Sequence, residues 1–377
     1  MTQTRRVLIL TADAGLGHRS AAKAIAKALT QQHGDAIEVH ITNPLQDEDV
    51  PSLLQEAQSD YDRVVRESPR LYRAGFEMVD TPAMASVMQR VIAAAVNDVV
   101  RDLRHTHAPH VIVSTYPSYQ GLLDTQSLEA PYVVVITDLT TIHHAWFHPK
   151  IDLCIVPTEA GQRRALKAEV PAEHIEIIGI PVDPTLAESR DRRALRTELG
   201  WDPDATTLLA VGGKRVIGLE EVLQVLNHAG FPLQLALVAG NNDNLYRRLQ
   251  ETQWHQPTRV YGFVDNMPEL LHASDAILCK AGGLIVSEAL AAGLPLLLVN
   301  ALPGQERGNA EFVIEGGAGV LLDGPMDVLE TLTHWLADGE RVLTNLSLRA
   351  RELGTPEAAI EIAHRVWTLA TRTTPGA

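Results

Sequence analysis

The sequence predicts an α/β protein built from two parallel-sheet domains. Three observations carry that expectation. Short apolar runs alternate with stretches of helical periodicity, the pattern of βαβ units. At 377 residues the chain exceeds one ordinary hydrophobic core. Near the middle, Pro181, Pro184 and Pro203, with the charged stretch Arg190 to Arg196 between them, interrupt the pattern and mark a linker and restart.

The elements follow in order. Residues 7–11 are an apolar β run, 12–19 a turn, and 20–29 a helix. Ala21, Ile25, Ala28 and Leu29 share one face of that helix, and Lys23 and Lys27 lie on the other. Residues 37–41 form a second strand, and 51–103 are mostly helical. Apolar strands follow at 111–114, 132–137, 153–157 and 175–178, closing a first domain over 1–180. The second domain, 181–355, runs through strands at 208–211, 233–239, 259–261, 276–279 and 295–300. A last helix, 356–370, opens the closing segment 356–377. No internal repeat or low-complexity tract is present.

Composition excludes several classes. A net charge of −15 argues against nucleic acid as a partner and against broad electrostatic adhesion to an anionic bilayer. Cys154 and Cys279 fall in predicted buried strands, where small apolar filler is the expected role rather than redox or metal chemistry. Only Met1 to Arg6 precede the first strand, so no signal peptide is expected. No apolar run is read as approaching the ~20 residues that span a bilayer. A cytoplasmic, reducing setting is the expectation.

The richest segment is 261–319. Gly282-Gly283 stands at a helix start, where backbone amides can meet phosphate. Glu288 is a lone carboxylate in an otherwise apolar helix, placed to chelate a ribose diol. Gln305, Glu306 and Asn309 combine amide and carboxylate groups that suit sugar hydroxyls. Together these imply a nucleotide-sugar site at the carboxyl ends of parallel strands. The other reading of Glu288 is a surface carboxylate. Gly212-Gly213-Lys214, after the first strand of the second domain, is a further phosphate-binding turn or a plain strand-to-helix turn.

Two more blocks carry chemistry in the first domain. Gly15-Leu16-Gly17-His18 follows the first strand. A dinucleotide fingerprint needs a third glycine where Ser20 stands, and an acidic residue closing the second strand where Asn43 follows, so a dehydrogenase is disfavoured. His18 is a functional group at a helix start, or a helix-start residue tied to backbone. Asp138 closes a buried strand and is followed by His143, His144, Trp146, Phe147 and His148. That histidine spacing does not match a metal pair. Trp146 and Phe147 face a ligand or pack under a loop. Residues 60–80 place Arg63, Arg66, Arg70 and Arg73 at helical spacing beside Leu71, Tyr72 and Phe76. This is a lipid-facing basic surface or a solvated face. Asp47-Glu48-Asp49 and Asp202-Pro203-Asp204 read as acidic turns rather than metal sites.

The segments ILTADAGLGHRSAAKAI, ITDLTTIHHAWFHP and 261–319 together resemble the diacylglycerol glycosyltransferases, namely the monogalactosyldiacylglycerol synthases and the processive diacylglycerol glucosyltransferases. The lipid II N-acetylglucosaminyltransferase is a more distant relative. The resemblance runs from Val7 to about Gly319. The chain departs from it at Leu16, at Lys214-Arg215-Val216 and at Leu284-Ile285. It implies two Rossmann-like domains facing a cleft, the GT-B architecture, with the last helix packing back across the junction. It implies inverting, metal-independent transfer of galactose or glucose from a UDP-hexose to diacylglycerol, with no cofactor, by a protein peripheral to the cytoplasmic membrane. His18 or Asp138 is the implied base. Gly15, Gly17, His143 and Trp146 are implied on the acceptor side. Phe263 and Val264 are implied to meet uracil, Gly212, Gly213, Gly282 and Gly283 the phosphates, Glu288 the ribose, and Gln305, Glu306 and Asn309 the sugar. A different lipid-linked acceptor, a UDP-N-acetylglucosamine 2-epimerase and a non-catalytic nucleotide-sugar-binding protein are the alternatives.

Overall fold

The computed structural model describes residues 4–13, 16–52, 54–55, 80–299, 301, 305–337 and 341–372. The basic stretch 60–79 and Gly15 lie outside them. The chain divides into two compact units. One is Met1–Pro184 with Pro303–Gln305 and Glu357–Ala377; the other is Thr185–Leu302 with Glu306–Pro356.

In the first unit the order is β1 (Arg5–Leu10), α1 (Leu16–His33), β2 (Ile37–Thr42), α2 (Pro82–His107), β3 (Val111–Ser114), α3 (Leu122–Thr125), β4 (Tyr132–Val135), β5 (Leu153–Val156), α4 (Glu159–Lys167) and β6 (Ile175–Ile177). All six strands are parallel, in the order β2-β1-β3-β4-β5-β6. Successive residues of each strand point to opposite faces, and both faces are covered, which is why the strands read as continuous apolar runs. Leu8, Ile112, Val134 and Cys154 meet Ala93, Val96 and Val100 of α2. Ile9, Val113, Val133 and Ile155 meet Ile25 and Leu29 of α1, together with Ile362 and Val366 of the C-terminal helix Ala358–Arg372. That helix is tied to α1 by Gln32 Nε2 donating to Ile360 O (2.9 Å) and by His33 stacked on Trp367 (3.8 Å between centroids).

Two differences from the sequence expectation matter here. α1 begins at Leu16, not residue 20, so His18 lies in its first turn; the helix runs on until Gly34, at φ +52°, gives the chain its exit. α2 is 26 residues long, with a mean hydropathy of 1.2 over its most apolar stretch. Among the described residues it is the one helix long and apolar enough to cross a membrane, contrary to the expectation of none. Its buried face packs in the core, and its start is set by Thr81, whose hydroxyl accepts from Met84 N.

The second unit runs α5 (Arg192–Glu198), β7 (Thr206–Val211), α6 (Leu219–His228), β8 (Leu233–Val238), α7 (Asp243–Glu251), β9 (Thr258–Tyr261), α8 (Met267–His272), β10 (Ala276–Cys279), α9 (Gly283–Ala291), β11 (Leu296–Val299), α10 (Gln305–Glu315), β12 (Gly319–Leu322), α11 (Asp327–Ala337) and α12 (Arg341–Leu353). Its six parallel strands lie in the order β9-β8-β7-β10-β11-β12, the doubly wound nucleotide-binding order. β12 is an edge strand that sequence pattern left unmarked. The arginine-rich stretch expected as linker is instead a docked helix. Asp191 caps α5, and Arg192 and Arg196 both reach Asp275 (2.7 and 2.5 Å). Arg196 is the buried partner, and breaking a buried pair costs about 3–5 kcal/mol.

Candidate functional site

In an open parallel sheet, ligands bind beyond the carboxyl ends of the strands, where the strand order reverses. In the first unit that point lies between β1 and β3. The residues gathered there follow β1, β3 and β4. His18 Nδ1 lies 2.9 Å from Thr137 Oγ1. The Tyr116 and His18 rings stand perpendicular at 5.2 Å between centroids, and Trp146 lies tilted at 5.9 Å. Thr115 Oγ1 donates to the His18 carbonyl (3.1 Å), pinning the first turn of α1 to the end of β3. Asp138 is 9 % exposed and accepts the Trp146 indole N–H at Oδ2 (2.8 Å). One neighbourhood therefore holds both expected bases, His18 and Asp138, bridged by Trp146.

The remaining acceptor-side residues stand differently. Trp146 is 0 % exposed. It is packed under its loop, where its ring lies beside His18 and its indole N–H holds Asp138. Phe147 is buried as well, and Gln89 of α2 holds the loop by donating to the carbonyls of Ala145 and Phe147 (3.1 Å each). His143 is buried; its Nδ1 accepts from Ala145 N (3.0 Å), and its Nε2 lies 4.0 Å from Asp80. Burial, with help from His144 and Arg164, holds the His143 imidazole below its ordinary value against the opposing pull of Asp80. The three histidines do not converge. His144 N donates to Asp80 (2.8 Å), while His148 Nε2 pairs with Asp124 (3.1 Å). Among the described residues no group of three or more His, Cys, Asp or Glu is arranged to hold a metal.

In the second unit the reversal lies between β7 and β10. Gly282 caps α9 without a side chain of its own, leaving the first-turn amides of a nine-residue helix open to an anion. Lys280, directly after β10, folds over it: a Cβ added at Gly282 would lie 3.1 Å from Lys280 Cε and 3.4 Å from Nζ. The same ammonium pairs with the Glu306 carboxylate. The helix start thus carries an ammonium beside its positive dipole end, a suitable seat for a pyrophosphate. Glu288 lies half-buried on α9, one and a half turns from Gly283. Asn309 is 1 % exposed; its Nδ2 donates to Ala281 O (3.0 Å), anchoring the loop ahead of the helix. Its Oδ1 is buried without a partner among the described residues. Phe263, after β9, is 59 % exposed, and Val264 follows it. Gln305 opens α10, with its side chain outside the described residues.

At the end of β7, Gly212 differs from the expectation. Gly212 spends its amide in the sheet, donating to Val238 O (2.7 Å), so that amide is not available to a phosphate. A Cβ there would lie 2.6 Å from Leu245 Cδ2, so packing against α7 accounts for the glycine. Gly213 follows, and Lys214 is exposed. Both acidic turns are turns: Asp47 accepts from Asp49 N (3.1 Å) and Asp202 from Asp204 N (2.9 Å). Cys154 and Cys279 are buried free thiols that burial pushes up to about 12, too high for a nucleophile. Sequence reading missed Thr137 and Lys280. Each follows a buried strand and adjoins a residue already singled out, which is the signal available for both.

A family model described as monogalactosyldiacylglycerol (MGDG) synthase matches residues 18–182, and one described as glycosyl transferases group 1 matches residues 191–352. The monogalactosyldiacylglycerol synthase of Spinacia oleracea is 31% identical over 379 residues, covering 96% of this chain and 72% of its own length. The probable monogalactosyldiacylglycerol synthase 2 of Oryza sativa subsp. japonica is 32% identical over 374 residues, covering 95% and 79%. Among solved structures, Acinetobacter baumannii MurG superposes with a TM-score of 0.59 at 17% identity, covering 97% of this chain and 99% of its own. A UDP-GlcNAc 2-epimerase from Neisseria meningitidis bound to UDP-GlcNAc gives 0.62 at 15% identity, covering 96% and 100%. At those identities the likeness is one of fold, the GT-B fold of paired Rossmann-like units. With more than two thirds of each plant enzyme matched at over 30% identity, this chain belongs to the monogalactosyldiacylglycerol synthase family of glycosyltransferases.

Proposed function

We propose that this chain is an inverting, metal-independent transferase that moves a galactosyl group from UDP-galactose to the free hydroxyl of diacylglycerol at a membrane surface. The observation that carries the reading is the placement of His18 at a sheet's reversal point, against Thr137 and beside the Trp146 ring that holds Asp138, in a chain whose relatives are named for this product. His18 takes the proton as the acceptor oxygen attacks the anomeric carbon, and the bond to UDP breaks. The first-turn amides of α9 and the Lys280 ammonium meet the charge that develops on the departing pyrophosphate. Glu288 takes the ribose, and Glu306 the hexose. Asp138, with one oxygen engaged by Trp146, supports the site and does not act as the base.

Incubation of the pure protein with diacylglycerol and labelled UDP-galactose or UDP-glucose, followed by lipid extraction, tests this. Labelled monohexosyl lipid from UDP-galactose is the expected product. Product from UDP-glucose alone reassigns the sugar, and no labelled lipid from either donor overturns the reading.

A further inference from the structure

The geometry points to Thr137 as the positioning residue that fixes the tautomer of His18, holding the proton on Nδ1 so that the lone pair sits on Nε2. This rests on the reading of His18 as the base. A neutral imidazole carries one ring proton, and the hydrogen bond made by one nitrogen decides where that proton sits. The Nδ1 to Thr137 Oγ1 distance is 2.9 Å, and Thr137 is 5 % exposed, so this contact is shielded from competing water. If Nδ1–H donates to the hydroxyl, Nε2 is an acceptor and can take a proton; if the hydroxyl donates to Nδ1, Nε2 already bears a proton and cannot.

The surroundings hold the ring in one plane. Tyr116 stands perpendicular to it and Trp146 lies tilted beside it. Charged groups on the neighbouring stretches include Asp138, bonded to Trp146, and the Arg19–Asp13 pair one residue along α1 (3.1 Å). A carboxylate is the common orienting partner of a catalytic histidine. At Nδ1 the partner is a neutral hydroxyl, which sets orientation and tautomer from that side of the ring. It keeps the same role after proton transfer, because the imidazolium also donates from Nδ1. Thr137 stays on one side of the ring throughout, and the proton arrives and leaves on the other.

Thr137→Val keeps the shape and removes the hydroxyl, and Thr137→Ser keeps the hydroxyl and removes the methyl. In the full chain, Thr137→Val is expected to lower kcat on the order of tenfold to a hundredfold, the worth of one hydrogen bond to a group that becomes charged. KM for the UDP-sugar is expected to stay unchanged. The acid limb of the pH–rate profile moves to lower pH, since the imidazolium loses an acceptor. Thr137→Ser restores the rate. Imidazole nitrogen NMR of the protein labelled at histidine is expected to show His18 as the Nδ1–H form, and Thr137→Val to lose it. An Nε2–H form in the unaltered protein overturns the proposal, as does a Thr137→Val enzyme with normal kcat and an unchanged nitrogen spectrum. The two readings fail separately. Normal turnover by His18→Ala removes the base, whereas the NMR result decides the tautomer without reference to turnover.

Discussion

Lys280 and Glu306 meet across the loops that follow β10 and β11, the ammonium lying over Gly282 while paired with the carboxylate. The cation that a pyrophosphate needs is thus stored beside the helix start on a group assigned to the sugar. Lys280→Met is expected to weaken UDP binding about tenfold or more, since a hydrogen bond to a charged group is worth about 1.5–3 kcal/mol. Glu306→Gln is expected to leave UDP affinity near normal and to lower turnover. Calorimetry with UDP on both folded variants checks the pair, and equal affinity in Lys280→Met removes the ammonium from the site.

Glu288→Ala is expected to weaken UDP binding by a similar factor with little effect on the fold, because Glu288 is half-buried on one helix face. Titration with UDP and with uridine lacking the ribose diol separates ribose recognition from general loosening. A folded variant with unaltered UDP affinity sinks the ribose assignment.

His18→Ala is expected to lower kcat by about 10²–10⁴-fold with UDP affinity nearly intact, as removal of a general base does. Asp138→Asn retains a hydrogen-bonding group toward Trp146 and is expected to have the smaller effect. Steady-state kinetics on both decide between the two. If Asp138→Asn is the lethal change, the base is the carboxylate.

Activity is expected to persist in excess chelator. The imidazoles after β4 do not converge, since His143 Nδ1 accepts from Ala145 N and His148 Nε2 pairs with Asp124, and both acidic turns bond to their own backbone. Loss of transfer in EDTA, with recovery on adding Mn²⁺ or Mg²⁺, contradicts a metal-independent reaction.

His110 is fully buried, and its Nδ1 accepts from Arg6 N (3.1 Å). Burial, reinforced by Arg6 and Arg5, lowers its folded value below the ordinary 6.5. The unfolded chain therefore binds a proton that the folded chain refuses. Stability conferred by the neutral ring is present above pH ~6.5 and falls as the pH drops below it. His110→Asn, which keeps an acceptor for Arg6 N, is expected to flatten the fall in urea midpoint between neutral and mildly acid pH. An identical slope in variant and parent would show that the loss arises elsewhere.

Much of this was legible in residues alone. Both sheets announce themselves because their strands are buried on two faces and so stay apolar throughout, as in Val111 to Ser114 and Leu296 to Val299. The glycine pair before α9 and the lone Glu288 are visible because each breaks an otherwise apolar run. β12 was passed over because its apolar run, Val320 to Leu322, is only three residues long and opens on a glycine that reads as loop. Trp146 and Gly212 misled for a common reason, since an aromatic ring or a glycine beside a site serves packing and ligand equally well in one dimension. Thr137 and Lys280 were hidden because a threonine ending a strand and a lysine in a turn are ordinary until a second residue is placed against them.

The C-terminal helix has a consequence for the order in which the chain is made. Ala359, Ile362, Ala363 and Val366 lie in the same cluster as Val7, Ile9 and Ile25, although more than three hundred residues of synthesis separate them. The unit begun first therefore lacks part of its hydrophobic core until helix Ala358–Arg372 has been made. The second unit, Thr185–Leu302 with Glu306–Pro356, is nearly complete in sequence before then. Domains usually mature from the amino terminus as they emerge. Here one face of the amino-terminal sheet is covered by α1 alone until the C-terminal helix emerges, so this unit closes its core last.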